Sequence, residues 1–199
     1  NFNLKGGKEV LEAFAILNEK YHNLELVIRT EIPQQYREMC QSFHNIKLIE
    51  KPVPWEELER EYKSADIFLF PGHDTPFGVI LEAMSYEIPV IATDVYGNRE
   101  LVTDGITGFV IRSSELVSYY SGNYATRPMT GPKQWEDASL STDPKVIKEL
   151  VEKAGLLIEN KELRRKMGRA ARQDVAVGKH SITCRNQKFQ EIFDEAIGE

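Results

Sequence analysis

Apolar positions recur along this chain at two different spacings, and the alternation between them is regular from Lys8 to Ile111. "KEVLEAFAILNE" puts Val10, Leu11, Phe14 and Leu17 on one helical face with charges opposite, which predicts a helix from Lys8 to about Glu19. "LELVIR", residues 24–29, is a short apolar run rich in strand formers. The pair of patterns then repeats. "QQYREMCQSF" reads as a helix, "IKLIEK" as a strand, and "PWEELEREYKSA" as a helix with Pro54 near its first turn. "DIFLF" is a strand, "FGVILEAMSY" a helix, "PVIATD" a strand, "NRELV" a short helical turn and "GFVI" a last short strand. Strands this apolar, separated by helices, are expected to be covered on both faces. They predict an α/β fold of the doubly wound, Rossmann-like kind with a parallel sheet, in which ligands bind beyond the carboxyl ends of the strands.

The pattern stops after Ile111. Residues 112–142 are polar with no strong period and predict a long loop or insertion. "DPKVIKELVEKAGLLIE", residues 143–159, resumes as an amphipathic helix with Asp143 as N-cap and Pro144 at the first helical position. Two further helices finish the chain. In the last, "RNQKFQEIFDEAI", residues Phe189, Ile192, Phe193 and Ala196 share a face, for which core packing is the plain expectation and a face left exposed or buried against a neighbouring molecule the alternative.

Composition narrows the class. The 199 residues, 41% hydrophobic and 28% charged, suit one ordinary globular domain spanning 1–199. A net charge of -6 leaves no basic footprint for nucleic acid, and the one basic cluster, "RRKMGRAAR", reads as a solvated helix face. Cys40 and Cys184 lie far apart without metal-ligand spacing, which suits reduced thiols in a cytoplasmic setting. No apolar run approaches the ~20 residues of a bilayer span, so any membrane association is expected to be peripheral. The chain opens on Asn1, within what reads as a loop entering a helix, and is expected to be a fragment.

The turn after "DIFLF" carries the candidate chemistry. In "PGHDTPFGVILEAM", either Asp74 or Thr75 can cap the helix, and Pro76 suits its first turn. The amides of Phe77 and Gly78 are then left for an anion, with the positive end of the helix dipole behind them. Gly78 has no side chain to block a phosphate. Phe77, Ile80, Leu81 and Met84 share one face by their spacing, with Glu82 opposite, where a carboxylate can accept two ribose hydroxyls. The plain alternative is an ordinary helix start followed by a solvated glutamate.

The longer run "DTPFGVILEAMSYEIPVIATDVYGNRELVTDGITGFVI" closely resembles the nucleotide-sugar-binding half of retaining glycosyltransferases of family 4, which have the GT-B fold. That family shows two acidic residues with seven between them, then "EAM", a Pro-Val-Ile strand, a Gly-containing turn before Glu and a "DG.TGF" hairpin. The resemblance extends to "NLKGGKEVLEAFAIL" and to "ENKELRRKMGRAAR". It implies a donor-binding domain for a nucleoside-diphosphate sugar, with an amino-terminal acceptor-binding domain as its partner. It also implies transfer of a hexosyl group without a cofactor or metal.

Carried over by position, the resemblance gives Glu82 the ribose hydroxyls and Asp74 the hydroxyls of the donor sugar, as the catalytic acidic position. The amides of Phe77, Gly78 and Val79 would face the diphosphate, Lys5 would neutralise it, and Val53 would lie beside the base. Gly97 and Asn98 would border the sugar. Aligning on "PFG" instead puts Thr75 in the first acidic slot, with one residue lost from the helix start. His73 can reach sugar or phosphate from beside Asp74, whereas a lone loop histidine by itself reads as solvated. Two other readings share the fold: a nucleotide-binding or regulatory module without transfer activity, and a sugar-nucleotide epimerase.

Overall fold

The computed structural model describes residues 2–73, 77–114 and 142–198. Five short strands alternate with helices in the expected order: α1 (Gly7–Lys20), β1 (Leu26–Ile28), α2 (Gln34–Ser42), β2 (Ile46–Leu48), α3 (Trp55–Ser64) and β3 (Phe68–Phe70). Then follow α4 (Phe77–Ser85), β4 (Val90–Thr93), α5 (Asn98–Leu101), β5 (Gly108–Ile111), α6 (Pro144–Glu159), α7 (Lys161–Ala176) and α8 (Ile182–Ile197). The α6 cap is as expected: the Asp143 side chain accepts from the Lys145 amide at 2.9 Å, with Pro144 in the first turn.

Among the described residues all strand pairs are parallel, as expected, and they form a two-stranded and a three-stranded sheet. β1 pairs with β2, setting Leu26 opposite Ile46, while β3, β4 and β5 form a second sheet with Phe68 opposite Val90 and Val90 opposite Gly108. Among the described residues no hydrogen-bonded strand joins β1 to β3.

β4 shows why these strands lack polar positions. Successive side chains of a strand point to opposite faces. Ile91 enters one core with Val10, Ala13 and Leu17 of α1 and Leu150, Ala154 and Leu157 of α6. Val90 and Ala92 enter another with Leu58, Tyr62, Ile80, Ala83 and Met84 from α3 and α4. A smaller cluster, Phe2, Leu11, Ile28, Ile32 and Cys40, closes the β1–β2 side. Both cysteines are free thiols.

Phe77, which shares a face with Ile80, Leu81 and Met84 by spacing, is 54% exposed, because it opens the helix before Ile80, Ala83 and Met84 meet the sheet. Two expectations fail on packing. The basic segment of α7 is more than a solvated face. Arg164 pairs with Asp66 at 3.1 Å and donates to the Leu157 carbonyl at 2.7 Å, and Arg172 donates to the Ser85 carbonyl at 2.6 Å. Finally, α8 buries none of its residues, and Phe189, Ile192 and Phe193 stay exposed instead of packing into a core. Of the loop expected at 112–142, residues 115–141 lie outside the described residues.

Candidate functional site

The carboxyl ends of β3 and β4 and the start of α4 converge on one region, fastened by three links. The His73 amide donates to the Leu4 carbonyl at 2.7 Å, which holds the loop carrying Lys5 against the end of β3. Gly6 enters α1 at φ 72°, and any Cβ there would collide with the Pro71 carbonyl, so this close approach requires glycine. The Thr93 hydroxyl donates to the Gly72 carbonyl, and Asn98 Nδ2 to the Thr93 carbonyl at 2.9 Å, which ties β4 and α5 to the same place. Lys5, exposed, and the residues after Phe70 are thereby brought together across three helices and three strands of intervening chain.

At the start of α4, Phe77 and Gly78 are both exposed. Among the described residues a Cβ built on Gly78 would meet nothing within 4 Å, so they make no demand for glycine there. The first amides of a helix have no partner within it and carry the positive end of the dipole, so this open end suits an anion. One turn on, Glu82 is half-buried rather than free in solvent. Its Oε2 accepts from the Tyr62 hydroxyl at 2.9 Å. Val53, before α3, packs partly buried against the same cluster that holds Tyr62. Sequence reasoning missed Tyr62, although its spacing from Leu58, four residues earlier on α3, was the available signal.

His73, expected either at the donor or in solvent, is 1% exposed and lies beside Lys8 and Glu9, which are 4% and 1% exposed. His73 Nε2 stands 3.9 Å from Glu9 Oε1, yet this is no ion pair near neutrality. Burial pushes the Glu9 carboxyl up to about 7, and burial together with the neighbouring Lys8 ammonium pulls His73 down to about 4. Between those values both groups are neutral. Burial also lowers Lys8. Lys8 Nζ, Glu9 Oε2 and both ring nitrogens of His73 have no hydrogen-bond partner among the described residues. Glu9 was legible as a position four residues before Ala13 on the apolar side of α1, but its residue type argued for the outside.

Asn98 is fully buried, so its side chain braces the turn after β4, with Gly97 half-buried beside it. Val79 is half-buried on the first turn of α4. Asp74 and Thr75, the two candidates for the first acidic slot, lie outside the described residues, as does Pro76. Among the described residues no group of three or more His, Cys, Asp or Glu side chains is placed to hold a metal ion, and no helix is long and apolar enough to cross a membrane.

Helix-covered parallel strands with an open helix start at their carboxyl ends define the chain as an α/β protein of the Rossmann-like type. The model of the family Glycosyl transferases group 1 matches residues 2–118, more than half of the chain, and the chain belongs to that family. It is 29% identical over 122 residues to the capsular polysaccharide biosynthesis glycosyltransferase CapM of Staphylococcus aureus, covering 56% of this chain and 30% of CapM. It is 32% identical over 92 residues to the D-inositol 3-phosphate glycosyltransferase of Geodermatophilus obscurus, covering 45% of this chain and 20% of that protein. The chain thus spans about a third or less of the length of these relatives. In structure it resembles the C-terminal domain of the glycosyl transferase group 1 family protein LpcC of Francisella tularensis, with a TM-score of 0.65 at 21% identity. That match covers 90% of this chain and 81% of the other. The GT-B type of fold expected from the sequence is therefore the fold observed.

Proposed function

We propose that this chain is the donor-binding domain of a retaining glycosyltransferase of family 4, which transfers a hexosyl group from a nucleoside-diphosphate sugar to an acceptor held by a separate domain. The observation that carries the reading is the start of α4: Phe77 and Gly78 exposed, open space among the described residues where a Cβ of Gly78 would stand, and a carboxylate at Glu82 one turn further on. In this reading the amides of Phe77, Gly78 and Val79 face the diphosphate, with Lys5 across from them on the loop held by His73. Glu82 accepts the ribose hydroxyls, Val53 lies by the base, and Gly97 with the buried Asn98 beneath it borders the sugar. Asp74 or Thr75 meets the sugar hydroxyls.

Charge builds on the diphosphate as the bond to the sugar breaks. Fixed donors and an ammonium group stabilise that charge without having to reorganise. Lys5 and the α4 amides supply it here, so the proposal includes no metal and no cofactor. The exposed stripe on α8 supports contact with the acceptor domain, and a cytoplasmic enzyme, peripheral at the membrane, is the setting proposed.

Calorimetric titration with UDP-, GDP- and ADP-sugars tests the reading. One of them is expected to bind, and Glu82→Ala to abolish most of that binding. Unchanged binding in the variant would sink the assignment.

A further inference from the structure

Glu82 sits in the middle of α4, where a glutamate side chain has several rotatable bonds and no intrinsic reason to hold one direction. Here it is held. Tyr62, 8% exposed on α3, donates its hydroxyl to Glu82 Oε2 at 2.9 Å. Its ring is stacked on Tyr86, with centroids 5.3 Å apart and planes 6° from parallel. Tyr86 is anchored in turn, its hydroxyl 3.4 Å from Glu59 Oε1 on α3. On its other sides Tyr62 belongs to the cluster with Leu58, Ile80 and Met84. The phenol therefore cannot swing away without breaking a stack and opening the core. Burial and the Glu82 carboxylate both push its pKa well above the ordinary tyrosine range, so it stays a donor at any working pH.

We infer that Tyr62 is a positioning residue: by occupying Oε2 it fixes the Glu82 carboxylate so that Oε1 faces a nucleotide's ribose, and it thereby sets the preference for ribonucleotides over deoxyribonucleotides. The inference rests on the donor-site reading of Glu82. Fixing an acceptor before binding removes an ordering cost from the bound state, which is how a residue that never touches the ligand raises affinity for it. Tyr62 acts on the hydroxyls alone and leaves the contacts to diphosphate and base as they are.

The test uses the 199-residue chain, titrated with UDP, GDP and ADP and with the 2′-deoxy and 3′-deoxy forms of whichever binds tightest. Tyr62→Phe keeps the ring, the stack and the core, so the melting temperature is expected to stay within about 2 °C of the parent; a larger fall is controlled by scoring the ribo-to-deoxy ratio instead of absolute affinity. The expected result is a loss of roughly tenfold for the ribonucleotide, with the deoxy forms almost unaffected, so that the ratio collapses. In a Glu82→Gln background, Tyr62→Phe should add nothing further. If Glu82→Gln collapses the ratio and Tyr62→Phe leaves it intact, Tyr62 only packs, and the inference is overturned while the donor-site reading stands. If Glu82→Gln leaves ribonucleotide binding unchanged, or the unaltered chain binds none of the three, the donor-site reading falls and takes this inference with it.

Discussion

His73 faces Glu9 across 3.9 Å with both side chains sealed from solvent, and near neutrality neither carries a full charge. The raised pKa of Glu9 means that the folded chain holds this proton more tightly than the unfolded one. Its contribution is fully present below about pH 4.5, the ordinary glutamate value, and is lost as pH rises through about 7. His73, with its pKa lowered from 6.5 to about 4, acts in the opposite sense. Its stability contribution is present above 6.5 and lost as pH falls toward 4. The two slopes oppose each other in the range they share. Lys8, Glu12 and Asp143 are the other charged groups acting on Glu9. Glu9→Gln should therefore melt higher than the parent above pH 7, by on the order of 1–3 kcal/mol, with the gap closing toward pH 4.5. Melting curves from pH 4.5 to 8.5 check this, and a gap independent of pH would refute it.

Among the described residues nothing stands where a Cβ of Gly78 would go, so none of them requires its lack of a side chain. Gly78→Ala should leave the fold as stable or raise its stability by up to about 1 kcal/mol, since alanine is the better helix former. Nucleotide binding should nevertheless weaken, by roughly tenfold or more, because the methyl group stands above the α4 amides. Calorimetry and thermal melting on the same sample separate the two effects; affinity that survives the substitution would argue against a diphosphate at this helix start.

Leu150 is fully buried on α6, in the cluster that joins α1 to the β4 face carrying Ile91. Leu150→Ala removes packed methyl groups and leaves a cavity, at a cost of about 2–5 kcal/mol. The melting temperature should fall by roughly 5–15 °C, as judged by the usual shift per kcal/mol for a chain of this size. Denaturant titration at constant m-value provides the check.

Phe193 makes the opposite case. It is 66% exposed on a helix that buries no residue, so Phe193→Ser should change the stability of this chain by no more than about 0.5 kcal/mol. A loss of several kcal/mol in urea unfolding would show that α8 packs against something within the chain after all.

Much of the fold was legible because it depends on local periodicity. Each helix and strand announced itself by spacing, and the alternation forced parallel pairing, since parallel strands need a crossover between them. The start of α4 was legible for a similar reason: a helix that opens on Phe77 and Gly78 with a carboxylate one turn on is a local arrangement. The corrections share the opposite property. That Arg164 reaches Asp66, that Glu9 and His73 are sealed together, and that Tyr62 grips Glu82 are all relations between residues far apart in the chain.

The sequence by itself therefore determined the order and type of the elements, the apolar character of the strands and the location of the start of α4. Only the tertiary structure decided which side chains share a dry environment and which face stays open. A histidine in a loop reads as solvated until a helix carrying Lys8 and Glu9 is laid over it. A glutamate opposite an apolar stripe reads as free until α3 brings a phenol to it. Local spacing fixes where a side chain points relative to its own helix, but burial and hydrogen bonding depend on what the rest of the chain places in that direction.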